Sequence, residues 1–270
     1  MSHEKNLPEN LDIEAVRSTL LEAARAAGEI TLPVFRSGAV VDNKEDQGFD
    51  PVTRADRDAE LAIREIVERE FPEHGIVGEE YPDKTSDSPF SWIIDPIDGT
   101  RAFISGVPVW GTLIGLTHKG RAIGGLMSQP FTGEIYLGLA GASTRLWDNE
   151  KSRLSVSGVQ KLADAILFTT TPALFSRPQR AAFDGLENKV RLSRYGCDCY
   201  AYCLLAAGHI DLVVEPGLNI YDIAALIPII EYAGGRVTTF EGGVPDGGGD
   251  IIAAATPELH RQALDIMGSK

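Results

Sequence analysis

Residues 92–110 have the sequence WIIDPIDGTRAFISGVPVW, and the predicted fold and site of the chain depend on this stretch. It begins with three apolar residues, two of them β-branched, which predicts a buried strand. The strand leads into a turn that carries two carboxylates, Asp95 and Asp98. Gly99 permits a sharp turn and a close approach to a ligand, and the residues after it predict a short helix. The stretch therefore places acidic side chains between the end of a strand and the start of a helix.

This arrangement favours phosphate chemistry. The start of a helix presents free N–H groups and partial positive charge, so it suits a phosphate group. Carboxylates beside a phosphate repel it unless a cation lies between them, and hard divalent ions such as Mg²⁺ prefer carboxylate and phosphate oxygens. The motif thus predicts metal-assisted phosphoryl chemistry. The structural alternative is a turn former and a helix N-cap.

Composition and charge limit the class of protein. The chain has 270 residues, of which 43% are hydrophobic and 24% charged, as in ordinary globular proteins. Its formal net charge of -14 argues against nucleic acid or a membrane surface as partner. No apolar run suggests a signal peptide or a membrane span, so we expect a cytoplasmic protein. For Cys197, Cys199 and Cys203 we favour core positions over a zinc site.

The pattern of apolar residues predicts an α/β protein. We expect a single domain, 1–270, with lobes at 12–156 and 157–268. In the first lobe we expect helices at 12–35 and from Thr53 to Glu70, and strands at 76–80, 92–94, 110–116, 122–127 and 134–139. In the second we expect strands at 165–170, 189–194, 211–215, 236–239 and 251–254, and helices at 177–187, 199–207, 222–233 and 257–267.

Four acidic residues are candidate ligands: Glu79, Asp95 and Asp98, which end predicted strands or open turns, and Asp222, which begins a predicted helix. Ligands of α/β sheets bind at the carboxyl ends of strands, so acids at such ends can converge on one site. Adjacent residues of a strand point to opposite faces. Only one of Glu79 and Glu80 is therefore expected to face Asp95.

Four motifs, in this order, resemble those of the inositol monophosphatase superfamily: GEE at 78–80, DPIDGT at 95–100, YDIA at 221–224 and AGG at 233–235. The likeness extends from about Asp12 to Met267. It implies an α/β fold arranged as a five-layer αβαβα sandwich and a homodimer. It also implies dependence on Mg²⁺, about two or three ions per site, with Mn²⁺ as an alternative.

The resemblance also assigns roles to single residues. It makes Thr100 and Asp56, together with Glu79, the groups that orient and activate the attacking water. The backbone N–H groups of Gly99 and Thr100 would hold the phosphate, and no Gly-x-Ser-x-Gly nucleophile motif is present. Lys44 and Glu80 match supporting positions near the site. The metal ligands that it implies are Glu79, Asp95, the Ile97 carbonyl, Asp98 and Asp222.

Three segments resemble the histidinol-phosphate phosphatase branch of this superfamily: DGTRAFISG at 98–106, YGCDCYAY at 195–202 and YDIAALIPIIE at 221–231. Histidinol phosphate carries an ammonium group and an imidazole, so its site should offer carboxylates beyond the metal cluster. The expected substrate residues are Asp198 and Glu215, with Arg101 and Arg191 near the phosphate or shaping the pocket.

The leading hypothesis is therefore a Mg²⁺-dependent phosphatase whose partner is a small phosphorylated metabolite, L-histidinol phosphate, in histidine biosynthesis. A relative acting on inositol monophosphate, a sugar bisphosphate or a 3′-phosphoadenosine nucleotide is the alternative within the superfamily. A non-catalytic metal-binding protein is the alternative from another class. Such a protein would keep the acids but lose Thr100 and Asp56, which are both present.

Overall fold

The computed structural model describes Pro8 and residues 11–38, 41–43 and 51–268. Within this part the chain forms a seven-stranded sheet, a five-stranded sheet and a two-stranded hairpin. The helices are α1 (Ile13–Thr31), α2 (Arg54–Glu70), α3 (Thr100–Ile104), α4 (Arg177–Glu187), α5 (Asp198–Ala206), α6 (Ile220–Ile223), α7 (Leu226–Tyr232) and α8 (Pro257–Met267).

The hairpin consists of β1 (Val41–Asn43) and β2 (Pro51–Thr53). The seven-stranded sheet contains β3 (Gly75–Gly78), β4 (Phe90–Asp98), β5 (Gly111–His118), β6 (Arg121–Gln129), β7 (Glu134–Leu139), β8 (Ala142–Trp147) and β9 (Glu150–Arg153). The five-stranded sheet contains β10 (Ile166–Thr169), β11 (Leu192–Tyr195), β12 (Leu212–Leu218), β13 (Arg236–Thr239) and β14 (Gly249–Ala254).

Three apolar clusters join these elements into five layers. One cluster packs α1 and α2 against the outer face of the seven-stranded sheet. The largest joins the inner faces of both sheets through α5 and α7, and the third packs α4 and α8 on the outer face of the five-stranded sheet. The order is α, β, α, β, α, which confirms the predicted fold class.

The seven-stranded sheet places the central motif. Strand β3 is parallel to β4, and every other neighbouring pair in this sheet is antiparallel. The register of β4 against β5 shifts between Asp95 and Asp98, because Asp95 lies opposite Leu113 whereas Asp98 lies opposite Gly111. Such a bulge re-aims side chains at the end of a strand. Both aspartates therefore lie where the regular pairing of β4 with β5 is interrupted, at the same edge of the sheet.

The five-stranded sheet has the order β11-β10-β12-β14-β13. Strand β10 is parallel to both β11 and β12, and β12 is antiparallel to β14. The carboxyl ends of the three parallel strands therefore meet at one edge. Glu215 lies on β12 toward this edge, and Asp198 begins α5 shortly after β11 ends.

The single helix predicted at 222–233 is wrong, because α6 ends at Ile223 and α7 starts at Leu226. Pro228 explains part of the break, since its nitrogen cannot donate to the carbonyl of Ala224. The junction also packs closely on the seven-stranded sheet: a Cβ on Gly125 would lie 2.1 Å from the Ala225 carbonyl oxygen. The first helix is shorter than predicted as well, ending at Thr31 before a run of turns at 32–38.

None of the helices in the described ranges combines the length and the apolar character needed to cross a membrane.

Candidate active site

Asp95, Asp98 and Asp222 form the acidic cluster. Each offers one carboxylate oxygen, and these oxygens all lie within 4.8 Å of one another. The β4 bulge supplies the first two, and the first turn of α6 supplies the third. Three hard oxygen donors at this spacing fit a divalent cation such as Mg²⁺.

The acidic cluster is electrostatically costly on its own. Burial raises the pKa of Asp95 well above its ordinary value, and the charges of Glu79, Asp98 and Asp222 raise it further. Burial also raises the pKa of Asp98 well above its usual range, followed by repulsion from Asp198 and Asp222. For Asp222 burial raises the pKa to about 7, although hydrogen bonds from Asn219 oppose the change. A cation would relieve this repulsion.

Glu79 lies beside the acidic cluster. Its backbone N–H donates to the carbonyl of Ile94 at 3.2 Å, so the residue follows β3 alongside β4. Its carboxyl group shares a hydrogen bond with that of Asp95. Glu80 is half-buried, and its backbone N–H donates to Oε2 of Glu60 on α2 at 2.7 Å. Glu79 is thus the acid that contacts Asp95.

The turn at the end of β4 is held by hydrogen bonds within the DPIDGT motif. The Ile97 N–H donates to Oδ1 of Asp95 at 3.1 Å, and the Thr100 hydroxyl donates to the Ile97 carbonyl at 3.1 Å. Gly99 has a φ of 80°, a left-handed conformation that glycine adopts without strain. Asp56 is 1% exposed in the first turn of α2, a helix that packs against β4.

Asp198 approaches the same turn from the five-stranded sheet. A Cβ on Gly99 would lie 3.1 Å from the Cβ of Asp198, so only glycine leaves this contact relaxed. Burial raises the pKa of Asp198, while a hydrogen bond from Thr170 and the charge of Arg101 oppose that change. Arg101 is exposed on α3. The structure therefore brings Asp198 and Arg101 to the DPIDGT turn.

Glu215 is 2% exposed and is held by two threonines at the end of β10. Its Oε1 accepts the Thr170 N–H at 2.6 Å and the Thr170 hydroxyl at 3.0 Å, and its Oε2 accepts the Thr169 hydroxyl at 3.4 Å. Burial raises the pKa of Glu215 to about 7, against the effect of the Thr170 hydrogen bonds. Thr170 also interacts with the Asp198 carboxylate, so it lies beside both carboxylates.

The structure does not bring Arg191 to this site. Its N–H donates to the carbonyl of Ala165 at 3.0 Å, just before the paired segments of β10 and β11 begin. The two strands are parallel, so Arg191 lies at their amino end, whereas Thr169 and Tyr195 lie at the carboxyl end. The prediction failed because the sequence did not show which end of the strand faces the site. Lys44 lies outside the described residues.

Sequence reasoning did not find three contributors to the site. Thr170 has only its position at a strand end as a signal. The Cys199 N–H donates to Oδ2 of Asp98 at 2.7 Å, a backbone contact without a sequence signature. Within the described chain the buried hydroxyl of Tyr202 has no hydrogen-bond partner. The charges of Glu215, Asp98 and Asp222, after burial itself, raise its pKa well above the ordinary value.

Comparison with known proteins agrees with this geometry. The model of the inositol monophosphatase family matches residues 12–268. The bifunctional phosphatase IMPL2, chloroplastic, of Arabidopsis thaliana is 41% identical over 255 residues, which cover 90% of this chain and 72% of the relative. A histidinol-phosphatase of Mycobacterium tuberculosis is 38% identical over 251 residues, covering 90% of this chain and 94% of the relative.

A solved structure of an inositol monophosphatase from Zymomonas mobilis has a TM-score of 0.85 and 39% identity. The match covers 96% of this chain and 100% of the other. The fold is that of a phosphatase class that generally uses Mg²⁺, and the acidic cluster could hold such an ion. The chain belongs to the inositol monophosphatase family.

Proposed function

We propose that this protein is a Mg²⁺-dependent phosphatase that hydrolyses L-histidinol phosphate to L-histidinol and phosphate. The observation that carries the choice of substrate is that two carboxylates lie beside Thr170: Asp198, which also contacts the DPIDGT turn, and Glu215. These acids lie outside the three-acid cluster. A substrate with a positively charged amine would make use of them.

We assign the metal ligands to Glu79, Asp95, the Ile97 carbonyl, Asp98 and Asp222. Once bound there, Mg²⁺ supplies charge neutralisation at the phosphate oxygens and a lowered pKa for water. Removal of any one of these carboxylates would weaken the binding of the ion, because a negatively charged oxygen donor is lost.

Thr100 and Asp56 are assigned to the attacking water. The Thr100 hydroxyl already has a defined position, since it donates to the Ile97 carbonyl. In the reaction the Thr100 hydroxyl turns its own proton from the Ile97 carbonyl to the Asp56 carboxylate and accepts a hydrogen bond from the water, so that as the water proton passes to Thr100 the hydroxyl proton passes to Asp56. The backbone N–H groups of Gly99 and Thr100 orient the phosphate for in-line attack.

Asp198, Glu215 and Arg101 are assigned to substrate recognition. Asp198 and Glu215 face the ammonium group, where the two negative charges offset the cost of removing the amine from water. Arg101 complements the phosphate with a guanidinium group that can donate to two oxygens at once. An inositol ring, which carries no positive charge, would leave both carboxylates without a cationic partner.

The relatives support two substrates. The Mycobacterium tuberculosis relative is named a histidinol-phosphatase, which favours the leading candidate. The Zymomonas mobilis structure is titled an inositol monophosphatase, and this makes inositol monophosphate the second candidate. We also propose that the whole chain is one phosphatase domain and that it works in the cytoplasm as a homodimer.

The test is phosphate release, with and without Mg²⁺, from L-histidinol phosphate, inositol 1-phosphate, fructose 1,6-bisphosphate and 3′-phosphoadenosine 5′-phosphate. We expect Mg²⁺-dependent turnover that strongly favours L-histidinol phosphate. Turnover that favours another member of the panel would contradict the substrate but retain the metal site. The absence of Mg²⁺-dependent release from all four would contradict the activity itself.

A further inference from the structure

Glu60 is a fully buried carboxylate on α2 that the proposed reaction does not use. Its exposed fraction is 0%, although charged side chains are seldom buried without a partner. Both of its oxygens are engaged: Oε1 accepts the Nε–H of Arg64 at 2.7 Å, and Oε2 accepts the backbone N–H of Glu80 at 2.7 Å. One carboxylate therefore links the helix to the chain segment that follows β3.

Arg64 extends this link. Its side chain is 11% exposed and pairs with Glu60 across one turn of α2. Its Nη2 donates to the carbonyl oxygen of Tyr81 at 3.1 Å. The ion pair thus holds the backbone at Glu80 and Tyr81, immediately after Glu79.

The chain before Glu79 touches the same pair. A Cβ on Gly78 would lie 2.0 Å from Oε1 of Glu60 and 2.8 Å from Nη2 of Arg64, so a side chain there would displace the ion pair. The backbone on both sides of Glu79 therefore packs against Glu60 and Arg64. Helix α2 also carries Asp56 four residues before Glu60, so the two buried acids share one face of the helix.

We infer that Glu60 and Arg64 are positioning residues that hold Glu79 against Asp95 for metal binding. This inference rests on the proposed function, because it assumes that Glu79 is a metal ligand. An ion pair that only stabilised α2 would not need to bind the backbone beyond Gly78. The pair instead contacts the backbone at Gly78, Glu80 and Tyr81, on both sides of Glu79, which fixes the place from which the Glu79 side chain extends.

The main variant is Glu60→Gln, which keeps the size of the side chain but removes its charge. Its amide can offer one acceptor oxygen, so it cannot serve both Arg64 and the Glu80 N–H as the carboxylate does. We expect the dissociation constant for Mg²⁺, measured by isothermal titration calorimetry, to rise about 10-fold to 100-fold. The Mg²⁺ concentration for half-maximal turnover should rise equally, while kcat at saturating Mg²⁺ changes less than about 3-fold.

Two control variants on α2 separate positioning from general stability. Glu65→Gln removes an exposed charge, and Ile63→Val trims a fully buried core side chain. Both should leave the Mg²⁺ dissociation constant within about 2-fold, although Ile63→Val lowers the melting temperature. Gly78→Ala provides a second test, because it displaces the ion pair without changing any charge. It serves alone if Glu60→Gln does not fold.

A folded Glu60→Gln or Gly78→Ala variant that binds Mg²⁺ as the wild type does would overturn the inference. An equal loss in Ile63→Val would overturn it too, because the effect would then follow stability alone. Both results leave the proposed function intact. A wild-type protein that binds no Mg²⁺ in the calorimeter would instead contradict the proposed function, and the inference with it.

Discussion

The backbone N–H of Cys199 donates a 2.7 Å hydrogen bond to Oδ2 of Asp98, across 101 residues of sequence. Asp98 ends a strand of the seven-stranded sheet, and Cys199 lies in the first turn of the helix that follows β11 of the five-stranded sheet. This bond joins the acidic cluster to the turn that carries Asp198. This hydrogen bond therefore links the proposed metal site directly to the proposed substrate site.

Asp95→Asn should reduce Mg²⁺-dependent turnover by about 100-fold or more, because it removes a charged ligand from the centre of the acidic cluster. The fold should persist, since the same change relieves repulsion among buried carboxylates. Steady-state kinetics and thermal unfolding without Mg²⁺ measure the two effects. Asp83→Asn, at an exposed loop position, is the control and should match the wild type. Near-normal turnover in Asp95→Asn would rule out the metal mechanism.

Asp198→Asn should raise KM for L-histidinol phosphate about 10-fold, which corresponds to about 1.4 kcal/mol of lost attraction to the amine. An uncharged aryl phosphate should keep its KM within about 2-fold. Asparagine is the suitable replacement because Asp198 has a φ of 44°, which asparagine tolerates and alanine does not. Equal losses on both substrates would exclude Asp198 from recognition of the amine.

Stability without metal should fall as the pH rises through the range set by Glu215. The pKa of Glu215 is about 7 in the folded protein, compared with an ordinary value of 4.5. Between these two pH values the folded state therefore binds the Glu215 proton more tightly than the unfolded state does. The stabilisation is complete below about pH 4.5, is lost above about pH 7 and is on the order of 3 kcal/mol. Urea unfolding at pH 5 and pH 8 should show a smaller pH effect in Glu215→Gln. The same pH effect in both proteins would argue against a protonated Glu215.

Two glycines provide a matched test of the packing between the layers. Gly125→Ala should lower the free energy of unfolding by about 3 kcal/mol, because its Cβ would lie 2.1 Å from the Ala225 carbonyl oxygen. Gly185→Ala should raise it by roughly 0.5–1 kcal/mol, since Gly185 lies inside α4 with no atom within 4 Å of the added Cβ. Urea titration measures both. A neutral Gly125→Ala would contradict the close approach of the α6–α7 junction to β6.

Local patterns predicted several elements to the residue. Helices at 177–187 and 257–267 and strands at 134–139 and 236–239 agree with the structure, because the local pattern of apolar residues indicated their boundaries. The DPIDGT motif at 95–100 likewise predicted a strand, a tight turn and a short helix, as observed. Interactions between residues close in the sequence determine these features, so the sequence alone is enough to predict them.

Contacts between residues far apart in the sequence could not be predicted from local patterns. The position of Arg191 depended on the direction of β11 within its sheet, and the break before α7 depended on how closely the helix packs against Gly125. Glu60 and Arg64 have the i, i+4 spacing of an ordinary surface ion pair. Only the folded structure buries Glu60 completely and brings the pair against Gly78 and Glu80.

The most direct test of the account is a competition assay. Equal concentrations of L-histidinol phosphate and inositol 1-phosphate are mixed with the Mg²⁺-saturated protein, and ³¹P NMR follows the depletion of each ester. The ratio of the initial rates gives the ratio of the two kcat/KM values. We predict that L-histidinol phosphate disappears at least about 100-fold faster, because only its amine pairs with Asp198 and Glu215. Equal depletion, or a preference for inositol 1-phosphate, would contradict the proposed substrate.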